Sequence, residues 1–268
     1  MCQKKYDLVI ISMAFYPDME AKRVDCARKT CAAVHQLAST SNDYSVHMVI
    51  INDENSHPFI KGELQQHGNE SLTVVAQKNP GMKGIALREA ISFAQNICAQ
   101  SGVIAFLELE KSNFISHAKT CATPILRNEA DIVIPRRSDP FFASTYAKEQ
   151  YHSETFGNMY INNLLNRQGD AFLDIYFGPF LFSRKLATLW LAYEGNLWDA
   201  QIVPYIRAMQ SNSDLRVISV SIEYLHDEYQ KEEEQGSVEY CQKRLLQLFN
   251  IVPKIHAEVS PSNFKPPS

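Results

Sequence analysis

Short runs of β-branched and aliphatic residues alternate with longer stretches of helical period, and that alternation admits few folds besides a mostly parallel sheet covered by helices. Residues 7–12 (DLVIIS) form the first run, and after it Val24, Ala27, Cys31, Val34 and Ala38 recur at the spacing of one helix face. Residues 45–51 and 71–76 predict two more strands, and Leu87, Ile91, Ala94 and Cys98 stripe the next helix. The runs 103–107 (VIAFL) and 131–134 (DIVI) are apolar but for Asp131, as strands buried on both faces are. In the second half, residues 141–165 predict a long helical stretch and 172–182 a segment with a Phe-Gly-Pro-Phe turn. Residues 216–224 predict a strand, and Val238, Cys241, Leu245, Leu248 and Val252 a last amphipathic helix. The expectation is an α/β fold, a mostly parallel central sheet flanked by helices in a single domain.

With 268 residues, 45% of them hydrophobic, the chain can bury one large core, placed here in residues 1–252. Residues 253–268, rich in Pro, Ser and Lys, are expected to form a loosely packed tail. The net charge of -4 arises from 26 basic and 30 acidic residues mixed along the chain, so no broad basic face is expected and nucleic acid is set aside as a partner. The first apolar run ends at Ser12, too short to span a bilayer and without a small-residue cleavage site, so no transmembrane segment and a cytoplasmic location are expected. Cys2, Cys26, Cys31, Cys98, Cys121 and Cys241 contain no CxxC pair, which argues for reduced, buried thiols.

Glu108-Leu109-Glu110 follows the strand 103–107, and alternation along extended chain points both carboxylates one way and Leu109 the other. Two carboxylates at the carboxyl end of a central strand suit a hard cation that offsets a diphosphate. The alternative is a solvated strand end where Lys111 and the glutamates make weak surface pairs. Residues 79–84 (NPGMKG) break the chain before a helix, where backbone N–H groups and Lys83 can face an anion, although glycines ending a loop explain them equally. Asp53 ends the second strand, where a carboxylate can meet a base or ribose, or simply serve a turn. His226 follows the strand 216–224 and can complete a metal site. Arg136 and Arg137 can bind a carboxylate or phosphate, or be solvated.

In order and placement these segments resemble GT-A glycosyltransferases, most of all the mannosylglycerate synthase and glucosyl-3-phosphoglycerate synthase group. The resemblance spans residues 83–229: KGIAL at 83–87 is similar to a KGxAL segment, IAFLELE at 104–110 falls at the strand and DxD motif, FGPF at 177–180 at a pocket turn, and HDEY at 226–229 at an HxxY segment. It implies a nucleotide-binding half (1–114), an acceptor half (115–252) and a retaining transfer of a hexose from a nucleoside-diphosphate sugar, GDP-mannose first, to a small acidic acceptor or a protein. Glu108, Glu110 and His226 would hold Mn2+ or Mg2+, with Glu110 central to the chemistry. Lys83 would meet the diphosphate, Asp53 the nucleoside, and Arg136, Gly178 and Tyr229 the sugar or acceptor. Two departures stand out: DxD is ExE here, and the acidic residue of the acceptor region falls on Gln201 or, with a two-residue slip, on Asp199. A non-catalytic GT-A relative that binds a nucleotide sugar or a protein partner is therefore a second reading. A sugar nucleotidyltransferase is a third, against which stands the absence of a glycine-rich signature in MAFYP at 13–17.

Overall fold

The computed structural model describes residues 5–19, 22–79 and 81–260. Four parallel strands open the chain: β1 (Tyr6–Ala14), β2 (Val46–Asn52), β3 (Leu72–Ala76) and β4 (Cys98–Phe106). They are joined by helices α1 (Lys22–Thr40), α2 (Ile60–Gly68) and α3 (Lys83–Ile97). After α4 (Ala118–Leu126) come β5 (Ile132–Arg137), α5 (Asp139–Thr145) and α6 (Lys148–Leu164), then β6 (Phe180–Ser183), α7 (Ala187–Leu191), α8 (Asp199–Ser211) and β7 (Val217–Ile222). Two helices, α9 (Glu228–Glu234) and α10 (Val238–Val259), end the described chain.

One seven-stranded sheet, ordered β3-β2-β1-β4-β6-β5-β7, runs through both halves. Only β6 is antiparallel, hydrogen-bonded between β4 and β5. The inner strands are buried on both faces: Leu8 and Ile10 join one core, Val9 and Ile11 the other, which explains the unbroken apolar runs. Thiols Cys26, Cys31, Cys98 and Cys121 are buried and free, as expected, whereas Cys241 is only half-buried and Cys2 lies outside the described residues. No helix among the described residues is long and apolar enough to cross a membrane.

Several local expectations shift. The stretch 141–165 is broken at Tyr146 and Ala147 into α5 and α6, because Tyr146 turns inward and stacks on His226. Cys98 starts β4 instead of extending the α3 stripe. The turn before Phe180 leads into a strand that was not expected. Residues 253–259 continue α10 with Pro253 inside it, and 261–268 lie outside the described residues. The largest change is the phase of α10. Val238 and Leu245 are exposed, while Tyr240, Arg244, Gln247, Ile251 and Ile255 face inward. The inward polar groups meet partners across the helix pair: Arg244 donates to Glu154 of α6 at 2.8 Å and the Tyr240 hydroxyl donates to Gln150.

Candidate active site

A cleft of about 650 Å³ opens at the carboxyl edge of the sheet, lined from β1, β2, α3, the segment after β4, α9 and α10. Ligands of open α/β sheets bind at this edge, where connections diverge to either side of the first strand. Glu108 and Glu110 stand on its wall. Leu107 and Leu109 are fully buried while the glutamates face the cleft, as expected, but the strand ends at Phe106 and residues 108–111 form a turn, closed by Lys111 N–H to the Glu108 carbonyl at 2.9 Å, instead of extended chain. The segment is pinned from below: the Ser12 hydroxyl donates to the Leu107 carbonyl at 2.8 Å and the Thr30 hydroxyl to that of Leu109 at 2.6 Å.

The two carboxylates have different neighbours. Glu108 Oε1 accepts from Lys83 Nζ at 3.0 Å, and its Oε2 lies 3.2 Å from Lys111 Nζ. Burial works to raise its pKa, but Lys83 and Lys111 outweigh this and hold the carboxyl below the usual carboxylate range. Glu110 accepts from the hydroxyl of Tyr16 at 2.8 Å. Lys111 is therefore no surface partner. It is buried, 8% exposed, with its ammonium 5.1 Å from the Phe177 ring centre. Gly178, at φ +102°, lets the Phe-Gly-Pro-Phe turn press on Glu108, since a Cβ there would stand 3.1 Å from Oε2. It backs the carboxylate and does not line the cleft.

His226 lines the cleft, but its Nε2 lies 3.3 Å from Glu234 Oε2 and its ring stacks on Tyr146. Burial lowers its pKa, with Glu234 opposing. The expected ligand trio Glu108, Glu110 and His226 is thus not gathered, and no group of three or more His, Cys, Asp or Glu among the described residues is arranged to hold a metal. The donor chemistry of Glu108 and Glu110 still fits a hard divalent ion of the kind held by one or two carboxylates together with substrate phosphate. Asp53 also lines the cleft, its Oδ1 accepting from the backbone N–H and side-chain amide of Asn55 at 2.8 and 2.9 Å.

Four expected residues lie elsewhere. Arg136 donates to the exposed Gly169 carbonyl and sits 4.9 Å from the Phe172 ring centre, held there by that carbonyl and an aromatic face. Tyr229 is exposed at the start of α9 and faces Lys22. Asp199 is fully buried, accepting from the Tyr193 hydroxyl, the Leu197 N–H and Lys254; it latches the loop before α8. Gln201 is buried beside Trp190, whose indole donates to its carbonyl. None of the four lines the cleft.

That loop explains the glycine after Lys83. Gly84 N–H donates to the Asn196 carbonyl, and a Cβ on Gly84 would stand 2.1 Å from the Gly195 oxygen. Gly84→Ala should therefore destabilise the chain by about 1–3 kcal/mol through overpacking against backbone. Gly62→Ala in α2, with nothing within 4 Å, should be neutral or slightly stabilising. Urea unfolding of both variants checks this, and equal midpoints would contradict it.

Sequence pattern offered no sign of Lys111 or of the α10 residues Lys243, Arg244 and Gln247 in the cleft, nor of the buried Tyr16 that donates to Glu110. Behind them lies a buried ionic chain. Arg137 forms a two-pronged bond to Asp174 at 2.7 and 2.8 Å and an ion pair with Glu154 at 2.8 Å, and Glu154 also binds Arg244. The Arg137 guanidinium is sandwiched over Phe142 at 3.6 Å. Arg137 is thus a buried strut between β5, α6 and α10, and the signal for it was the surplus of polar residues in α6.

The depressed Glu108 pKa carries a pH signature. Its folded value lies below the unfolded one, so its stabilisation is complete above the ordinary value of 4.5 and is lost as pH falls. The stability gap between the native chain and Glu108→Gln should narrow steadily on acidification below that point. A gap unchanged from about pH 7 to about pH 3 would contradict the assignment.

No protein-family model matches the chain, and no curated protein does. Solved structures do. Glucosyl-3-phosphoglycerate synthase from Mycobacterium tuberculosis, in complex with Mn2+, UDP and glucosyl-3-phosphoglycerate, superposes at TM-score 0.60 and 10% identity, covering 95% of this chain and 80% of that one. The same enzyme with phosphoglyceric acid gives 0.61 at 11% identity over the same shares, and a mycobacterial protein gives 0.63 at 11% over 95% and 75%. The sheet order with its antiparallel β6, the helices on both faces and these superpositions establish that the chain has the GT-A fold of glucosyl-3-phosphoglycerate synthase.

Proposed function

We propose that the chain is a glycosyltransferase that moves a hexose from a nucleoside-diphosphate sugar to a small acidic acceptor. The observation that carries this reading is the placement of Lys83, Glu108 and Glu110 together on the carboxyl-edge cleft. The nucleoside would lie over β1 and β2, where Asp53 and Asn55 line the cleft. Asp53 Oδ1 is already engaged by Asn55, which suits the single N3–H of uracil better than the paired N–H groups of guanine. Uridine donors therefore take precedence over GDP-mannose.

Lys83, at the first turn of α3, would bind the diphosphate together with the helix N-terminus. Glu108 and Glu110 would hold Mn2+ or Mg2+ against the phosphates, and the ion when bound would supply Lewis-acid stabilisation of the leaving group. Tyr16 orients Glu110 by donating to its Oε1, and burial followed by the Glu110 charge raises the Tyr16 pKa so that the hydroxyl stays a donor. On the other side, Lys243 of α10 lines the cleft, and its ammonium fits an anionic acceptor.

The test is release or transfer of labelled hexose from UDP-glucose, UDP-galactose and GDP-mannose, with Mn2+, to glycerate, lactate and phosphoglycerate. Turnover of one donor supports the reading. Saturable nucleotide-sugar binding with neither hydrolysis nor transfer would instead favour a non-catalytic relative, a reading to which the lysine clamp on Glu108 lends weight.

A further inference from the structure

Both oxygens of Glu108 are engaged, Oε1 by Lys83 and Oε2 by Lys111, and the Gly178 turn closes the side of Oε2. Lys83 and Lys111 both stand against Glu108, and the cleft lining as a whole sets five cationic side chains against five carboxylates. A cleft so balanced offers a bare dication no net negative charge to offset its dehydration. A nucleoside diphosphate changes this balance, because its phosphates bring several negative charges and compete for the lysines. The two lysines differ in freedom: the Lys83 side chain is 25% exposed at a helix start, whereas that of Lys111 is 10% exposed and held over the Phe177 and Tyr224 rings. Lys83 can leave Glu108 for a phosphate, and Lys111 stays.

We propose that Lys111 is a positioning residue that makes divalent-ion binding depend on the nucleotide: the cation enters the cleft with the diphosphate and not before it. This rests on the reading of the cleft as a nucleoside-diphosphate-sugar site, which assigns Lys111 no role. Lys111 acts through Glu108, holding one of its oxygens and keeping the site electrically balanced until a nucleotide arrives. Linkage makes the coupling reciprocal, so the nucleotide is also bound more tightly when the ion is present.

The experiment titrates Mn2+ into the full chain, following loss of the free-ion electron paramagnetic resonance signal, without nucleotide and then with saturating UDP, corrected for the Mn2+–UDP complex in solution. The native chain should bind Mn2+ at least about tenfold more tightly with UDP than without. Lys111→Met, of similar length but uncharged, should bind Mn2+ about tenfold more tightly than the native chain when nucleotide is absent, and the enhancement by UDP should shrink. Lys111→Arg should restore the native order. If Lys111→Met does not fold, as judged by circular dichroism, Lys83→Gln opens the clamp from its exposed side and should shift nucleotide-free Mn2+ binding the same way. Equal Mn2+ affinity with and without UDP in the native chain overturns the proposal, as does an unchanged nucleotide-free affinity in the lysine variant that folds. If UDP itself does not bind at any Mn2+ concentration, the donor reading falls and this inference with it.

Discussion

Replacing Glu154 by leucine should cost about 3–5 kcal/mol of folding stability, the largest single effect expected outside the apolar core. Glu154 is 2% exposed and lies between two guanidinium groups, Arg137 and Arg244, themselves nearly buried. Removing it strands both cations where little solvent reaches them, and Asp174 can neutralise only one. The apolar area gained by leucine is small against that penalty, because an unpaired buried charge costs far more than a methyl group contributes. Glu154→Gln should fall between native and Glu154→Leu, since the amide oxygen can still accept from Arg244. Urea unfolding followed by circular dichroism reads the difference, and a Glu154→Leu midpoint close to native would show that the chain Arg244–Glu154–Arg137–Asp174 does not hold the two helices to the sheet.

The largest functional effect is expected at Glu110. Glu110→Gln keeps the length of the side chain and one acceptor for the Tyr16 hydroxyl, so folding should be almost unaffected. Turnover of the preferred nucleotide sugar should nevertheless fall by about 10²–10³-fold, the usual consequence of removing one preorganised electrostatic contact to a developing charge. Glu108→Gln would be a poorer probe, because it also releases Lys83 and Lys111. Full activity in Glu110→Gln would exclude the carboxylate from the chemistry, and loss of the fold would show Tyr16–Glu110 to be a structural pair.

The parallel half of the sheet was legible because its strands are buried on both faces, and a doubly covered strand must be continuously apolar, as residues 8–11 and 103–107 are. The placement of Glu108 and Glu110 was legible for a related reason: Leu107 and Leu109 have to be inside, which leaves the glutamates to face the cleft. Helix α10 was not legible in phase. It carries apolar residues on two faces, and pattern alone chose Val238 and Leu245, which are exposed, beside Leu248, which does pack on the core; what turned the helix was a pair of buried polar groups on α6, Gln150 and Glu154, that only tertiary contact brings near. The same holds for Lys111. Nothing in its neighbours along the chain separates a solvated lysine from one tucked beneath Phe177 and Tyr224, residues more than sixty positions away. Asp199 misled for the opposite reason, since an acidic residue near a helix start looks exposed and available, while here Tyr193 and Lys254 enclose it.

Whether this cleft takes a nucleoside diphosphate through Lys83 is tested most directly by isothermal titration of UDP, in the presence of Mn2+, into the native chain and into Lys83→Ala. The native chain should show saturable one-site binding, and the variant should bind at least about tenfold more weakly with an unchanged circular dichroism spectrum, as expected for loss of a charge-assisted contact of about 1.5–3 kcal/mol. Absence of saturable binding in the native chain, or equal affinity in the two proteins, would contradict the assignment of this site.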